Sequence, residues 1–207
     1  MKSKKIFYRN QAESIINKLH ARKMEGHYCD NVEEAKELLV KLLGDEPKSV
    51  GYGGSMTLDN HGFKDAVSAA GHELIIREKL ESKECKMKLS CADAFLMSTN
   101  AITLDGELVN IDGAGSRLAY LIYGPEKVYV IAGMNKVVTN VEDGIRRVRN
   151  IATPANTVRL GVDSPCAKTG MCANCLENTI CCQFVVTRAS RIKDRICVIL
   201  VGEELGY

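Results

Sequence analysis

The stretch Ala92 to Ser98 is apolar on both faces apart from Asp93. A strand with no polar face must be covered from both sides, which is the situation of a parallel sheet held between helices. Val128 to Ala132 reads as a second buried strand and Arg195 to Gly202 as the last one. Shorter strand candidates are His27 to Cys29, the piece from Ser49 towards Gly53, and Leu74 to Ile76. Helical patterns stand between them. Tyr8, Ala12, Ile15 and Leu19 recur at spacings of four, three and four, which places them on one helix face. Asn31 caps a helix whose apolar stripe runs from Val32 through Ala35, Leu38, Leu39 and Leu42 to Leu43, and Gly44 with Pro47 ends it. Further helices are expected over 62–70, 85–91 and 115–123. Another is expected from Asn140, with Val141, Ile145 and Val148 inward. This alternation predicts an α/β fold with a largely parallel sheet covered by helices.

At 207 residues the chain suits one α/β domain with a small appendage. We divide it into an N-terminal helical segment (1–30), an α/β core (31–160), a cysteine-rich loop (161–187) and a C-terminal strand completing the core (188–207). Asp105-Gly106, between two β-rich pieces, marks a hairpin. The net charge of +2 is too small and too scattered for a nucleic-acid binder. No apolar run is long enough for a membrane span. The basic N-terminus lacks the apolar core of an export signal, so a cytoplasmic protein is expected, and its helix is a candidate dimer contact.

Three groups of residues point to chemistry. The first is Gly51-Tyr52-Gly53-Gly54-Ser55, where glycines let a backbone approach an anion closely. It is neither a Rossmann fingerprint nor a P-loop, because Met56 stands at the sixth position and no Gly-Lys-Ser/Thr follows. The second comprises polar residues in loops around and beyond buried strands: Asn100, Thr103, Asp105, Gly106, Asp112, Gly115, Arg117, Asn135 and Lys136. Ligands of open α/β sheets bind outside the carboxyl ends of the strands, which is where Asn100 and Asn135-Lys136 fall. Asn100 and Lys136 are the candidate catalytic pair. The others, with Gly51, Gly53, Gly54 and Ser55, are candidates for holding a small anionic metabolite. The four histidines are isolated, and no nucleophile–base pair stands out.

The third group is thiols. Of nine cysteines, Cys166, Cys172, Cys175, Cys181 and Cys182 crowd into one segment. An odd count without an export signal argues against a disulfide framework. Thiolates favour zinc and iron–sulfur centres, and this segment is the candidate site for either, with reduced structural cysteines as the alternative.

These motifs together resemble a known family. Gly51-Tyr52-Gly53-Gly54-Ser55, Asn100-Ala101-Ile102-Thr103-Leu104-Asp105-Gly106, Asn110-Ile111-Asp112-Gly113, Tyr123-Gly124-Pro125 and Gly133-Met134-Asn135-Lys136 are similar, in order and spacing, to the LUD-domain family of the lactate-utilisation protein C type. The cysteine segment resembles that family's stand-alone branch. On its pattern the matching metal ligands are Cys166, Cys172, Cys175 and Cys182, with Cys181 left over. The chain departs from the family at Ser116, where asparagine is common, and at Glu177-Asn178, where Ser-Pro is usual. The resemblance implies a fold like that of ribose-5-phosphate isomerase, glucosamine-6-phosphate deaminase and the CoA transferases. It also implies an association with L-lactate oxidation to pyruvate beside iron–sulfur partner proteins. A stand-alone enzyme or binding protein for a phosphorylated sugar, a CoA thioester or another small anionic metabolite is the alternative.

Overall fold

The computed structural model describes residues 2–76 and 82–207. A six-stranded, all-parallel sheet runs through it in the order β1 (Glu25–Cys29), β10 (Ile196–Val201), β7 (Lys127–Gly133), β4 (Ala94–Ser98), β2 (Ser49–Tyr52) and β3 (Glu73–Ile75). Successive side chains of a strand face opposite ways, so each central strand feeds two cores. Phe95, Met97, Val128, Val130, Val198 and Leu200 face one way, against α1 (Lys2–Ala21), α5 (Ser82–Ser90) and α6 (Leu118–Ile122). Leu96, Tyr129, Ile131, Cys197 and Ile199 face the other way, against α2 (Val32–Leu43), α3 (Met56–Asp59) and α4 (Phe63–Ala69). Asn31 caps α2 as expected, its side chain accepting a hydrogen bond from the Glu34 amide. Truncating a fully buried side chain such as Phe95 to alanine costs about 3–5 kcal/mol in a core of this kind.

A second, four-stranded sheet has the order β8 (Val137–Val138), β5 (Ala101–Thr103), β6 (Leu108–Asp112) and β9 (Gln183–Thr187). The β5–β6 pair is the expected hairpin, and Gly106 takes the left-handed conformation its turn needs (φ +81°). The tip of that hairpin docks on α1, where a Cβ on Gly106 would sit 3.2 Å from the Leu19 amide nitrogen. β9 lies inside the cysteine-rich segment and pairs antiparallel with β6. Its residues are mostly exposed, so no alternation announces it.

Residues 141–160 form one helical run: α7 (Val141–Arg147), a π turn (Val148–Ala152) and α8 (Thr153–Leu160). Of the expected inward residues Val148 is buried, whereas Val141 and Ile145 are half-buried and Gly144 and Arg147 share the buried face. Close approach is the reason, because a Cβ on Gly144 would lie 2.9 Å from the Val109 side chain. The short α9 (Pro165–Thr169) follows. Among the described residues no helix is long and apolar enough to cross a membrane.

Candidate functional site

Strands β7, β4 and β2 are neighbours at the centre of the large sheet, and their carboxyl ends open into a cavity of about 300 Å³. The sheet edge supplies Gly54, Ser55, Thr57, Ser98, Asn100 and Lys136 to its wall. The base of the β5–β6 hairpin adds Ile111 and Asp112, and the segment before α6 adds Ser116 and Arg117. The π turn and α8 close the far side with Val148, Thr153, Asn156 and Arg159. Polar groups thus converge where parallel α/β sheets place ligands.

Lys136 is the chemical centre of this wall. The chain leaves β7 in a single 3-10 turn, Met134–Lys136, which turns the lysine back under the strand ends. The residue is 4% exposed. Its Nζ donates to Thr57 Oγ1 (2.7 Å) and Ser98 Oγ (3.0 Å). The charged groups that act on it are both cations, Arg147 and Arg117. Burial above all, and then those two guanidinium groups, disfavour the ammonium form and bring its pKa down to about 7.

Asn100 lines the cavity too, but its backbone and Oδ1 are committed to the hairpin base. Its amide donates to Asn110 Oδ1 (3.1 Å), and its own Oδ1 accepts from the Ile111 amide (3.0 Å). Asp112 pairs with Arg117 at 3.2 Å and also accepts from the Arg117 and Gly113 amides. Arg117 spends one more donor on the Ile111 carbonyl. Of the glycine loop, Gly54 and Ser55 reach the cavity. Gly51 and Gly53 instead make room for Phe95, whose ring would lie 2.8 Å and 2.9 Å from a Cβ at those positions. They are packing glycines.

The remaining expected residues stand apart from the cavity wall. The Thr103 hydroxyl bonds Glu107 across the hairpin turn. Asp105 and Gly106 form the hairpin tip on α1, where Asp105 pairs with Lys18 at 3.7 Å and its carbonyl accepts from Arg22. Gly115 turns the chain into α6 with φ +75°. Asn135 holds the C-terminal tail, its Oδ1 accepting from the Leu205 amide at 3.1 Å.

Arg147 completes the architecture. Its side chain is buried and donates to the main-chain oxygens of Asn135, Asn100 and Tyr207. One side chain thereby ties the loop after β7, the loop after β4 and the C-terminal tail together.

The family model of the LUD domain matches residues 12–201. The chain belongs to the LUD-domain family. This LUD domain also has the fold of a DUF162 family protein from Deinococcus radiodurans, known from its crystal structure. The TM-score is 0.54 at 15% identity, over 95% of this chain and 97% of that one. That likeness shows the fold alone. No curated protein matches the sequence.

The thiol segment of the LUD domain borders the same cavity, since Ile180 lines it and the Cys181 thiol donates to Thr153 Oγ1 at 3.5 Å. All of the cysteines are free. Cys166 is buried against Ser164 and Thr157, and Cys172 accepts from Arg149 Nε at 3.2 Å. Burial pushes the Cys181 thiol up, and Cys172, Cys166 and Cys175 push it the same way. Cys182 is exposed, with its sulfur near the Thr179 carbonyl. Four sulfurs around one zinc ion stand about 3.8 Å apart, given bonds of about 2.3 Å. Among the described residues no three of these sulfurs come within 4.8 Å of one another, so the segment as it stands does not fit a closed zinc site. The donor set itself, four soft thiols, fits an iron–sulfur cluster. The trio that does converge within 4.8 Å is Glu25, His27 and Cys197, at the opposite edge of the sheet.

Three residues that frame the candidate site carry no clear sequence signal. Thr57 and Ser98 are single hydroxyls in short polar pieces, where nothing periodic marks them. Arg147 stands beside the exposed Arg146 in a helix whose inward face was assigned to its aliphatic residues. The π turn in that helix is a local marker of a functional element, but one visible only in the backbone.

Proposed function

We propose that this LUD domain binds a small anionic metabolite in the cavity at the carboxyl edge and acts on it with Lys136, in the setting of lactate utilisation. One observation carries the reading: a buried amine forms part of the cavity wall, has cations for its charged neighbours and takes hydroxyls rather than an acid as partners. A lysine placed only for stability would be matched with a carboxylate or replaced by an apolar residue of similar volume. Arg159 adds positive charge to the wall, and Arg117, whose charge Asp112 offsets, adds guanidinium donors, which favours a carboxylate or phosphate ligand. A cavity of about 300 Å³ is at the small end for ligand sites. It suits an acid of a few carbons or a small phosphate ester, and it is too small for the whole of a CoA thioester. The family's association with lactate utilisation supports a hydroxy or oxo acid.

Thermal unfolding with lactate, pyruvate, a sugar phosphate and a CoA thioester tests this. A true ligand present at 100 times its Kd stabilises by about 2.7 kcal/mol. Arg159→Ala weakens that effect. The absence of a shift with every anion overturns the reading.

A second reading rests on the thiol segment. Its soft donors Cys166, Cys172, Cys175 and Cys182 support a redox accessory role, with an iron–sulfur cluster on the segment and iron–sulfur proteins as partners. Iron and sulfide analysis with visible absorption after anaerobic purification tests it. Cys172→Ser is expected to lower the iron content. A colourless, iron-free protein overturns it.

A further inference from the structure

We propose that Lys136 forms an imine with the carbonyl carbon of its ligand, so that the substrate class is an anionic carbonyl compound. This rests on the cavity being the ligand site.

Hydrogen counting makes the case. Thr57 Oγ1 has an acceptor of its own in the Leu205 carbonyl at 3.2 Å. Ser98 Oγ has two, Thr57 Oγ1 and the Thr99 carbonyl, each at 3.3 Å. Both hydroxyl protons therefore have destinations other than the lysine, and Nζ is the donor in both of its contacts. A neutral amine has two hydrogens, and this pair of contacts uses both. What remains on Nζ is its lone pair, on a residue that lines the cavity. An ammonium group would place a third proton and a full positive charge beside two guanidinium groups. The neutral form satisfies this hydrogen-bond pattern with its lone pair left over, and burial with the two guanidinium groups puts half of the amine in that form near pH 7.

The chemistry follows from that state. The lone pair forms a bond to the carbonyl carbon while the carbonyl π pair moves to oxygen. The oxygen takes up a proton released from the attacking nitrogen, with the Ser98 or Thr57 hydroxyl in place to pass it on. The carbinolamine then loses its hydroxyl with a second proton as water, leaving the carbon–nitrogen double bond. Amine plus carbonyl becomes imine plus water, with no change in oxidation state. Arg159, bonded within the described residues to Asn156 Oδ1, and Arg117, paired with Asp112, stand on the same wall to hold the ligand's anionic group.

The groups that set the pH response are Arg147 from α7, Arg117 before α6 and, through Arg117, Asp112 at the end of β6. The guanidinium groups stay charged across the working range, so the response is that of the lysine itself.

The test is reductive trapping of the whole protein with cyanoborohydride and pyruvate, glyoxylate or glyceraldehyde 3-phosphate, read by peptide mass spectrometry beside thermal shifts with the same compounds. At pH 7 Lys136 is expected to react roughly a hundredfold faster than any other lysine, because ordinary lysines are almost wholly protonated there. The comparison of oxo acids with the phosphorylated aldehyde shows which anion the wall prefers. Thermal stabilisation without a dominant adduct on Lys136 overturns the imine and leaves the ligand site standing. Neither stabilisation nor adduct overturns both. An equal rate at Lys136 with a neutral aldehyde of similar size overturns the anionic class.

Discussion

Lys127 opens β7, and Lys136 lies three residues beyond the end of the same strand. Lys127 donates to Glu25 Oε2 (2.5 Å) and to the Asp194 carbonyl (2.8 Å), and Glu25 is held from its other side by His27 (2.7 Å). Burial pushes the Glu25 carboxyl up, but the hydrogen bonds from Lys127 and His27 outweigh it and hold it below the usual range. Glu25, His27 and Cys197 look like a metal trio by distance, yet Lys127 already supplies the positive charge that Glu25 needs. The lysine at the other end has hydroxyls in place of an acid and guanidinium groups for company. The amino end of the strand is electrically settled, and the carboxyl end holds a buried amine without a paired acid, at a cost in stability.

The largest expected effect is on Lys136→Met. Its folded pKa of about 7 lies below the unfolded value of 10.5, so the unfolded state binds more protons between those limits and the buried lysine costs stability at and below neutral pH. Denaturant melts should show the variant more stable by about 3 kcal/mol at pH 6, a shift of several units less the lost hydrogen bonds. The gain should fade towards pH 10, and ligand binding should be lost. A gain that does not depend on pH breaks the comparison.

Next comes Ser98→Asp, which gives Lys136 the kind of partner Lys127 has. A carboxylate at that distance raises the lysine's titration midpoint by about 2 pH units, measured as the pH dependence of its reactivity. Unchanged reactivity at pH 7 would mean that the absence of an acid is not what matters.

The smallest effect sharpens the other end. Lys127→Met should lower stability by about 1–2 kcal/mol at pH 7, because a partly buried carboxylate is left with His27 alone. The loss should shrink as the pH falls through the Glu25 titration, since a depressed carboxylate contributes its stability above the unfolded value of 4.5 and yields it in acid. Urea midpoints at pH 3 and pH 7 check it.

The large sheet was legible because β4, β7 and β10 are buried on both faces, and such strands have few alternatives. Lys136 was legible for a related reason: it follows a strand end, where ligands of parallel sheets sit. Thr103, Asp105 and Gly106, candidates as loop residues rather than by that rule, stand off the cavity wall, because a hairpin has a base and a tip. Its base, Asn100 and Asp112, stays at the cavity, while its tip crosses to α1. Gly51 and Gly53 read the same whether a glycine serves a ligand or a neighbouring ring, and only the position of Phe95 decides. Thr57, Ser98 and Arg147 act through contacts between segments far apart in the chain. No local pattern records such contacts.

Arg147 grips main-chain oxygens of three residues and no side chain. A clamp of that kind is blind to what the neighbouring residues display. Positions such as Ser116, Asn156 and Arg159 can therefore change without loosening the frame that presents the amine. Specificity in this scaffold is open to retooling, by mutation or by design, along a wall whose backbone is already fastened.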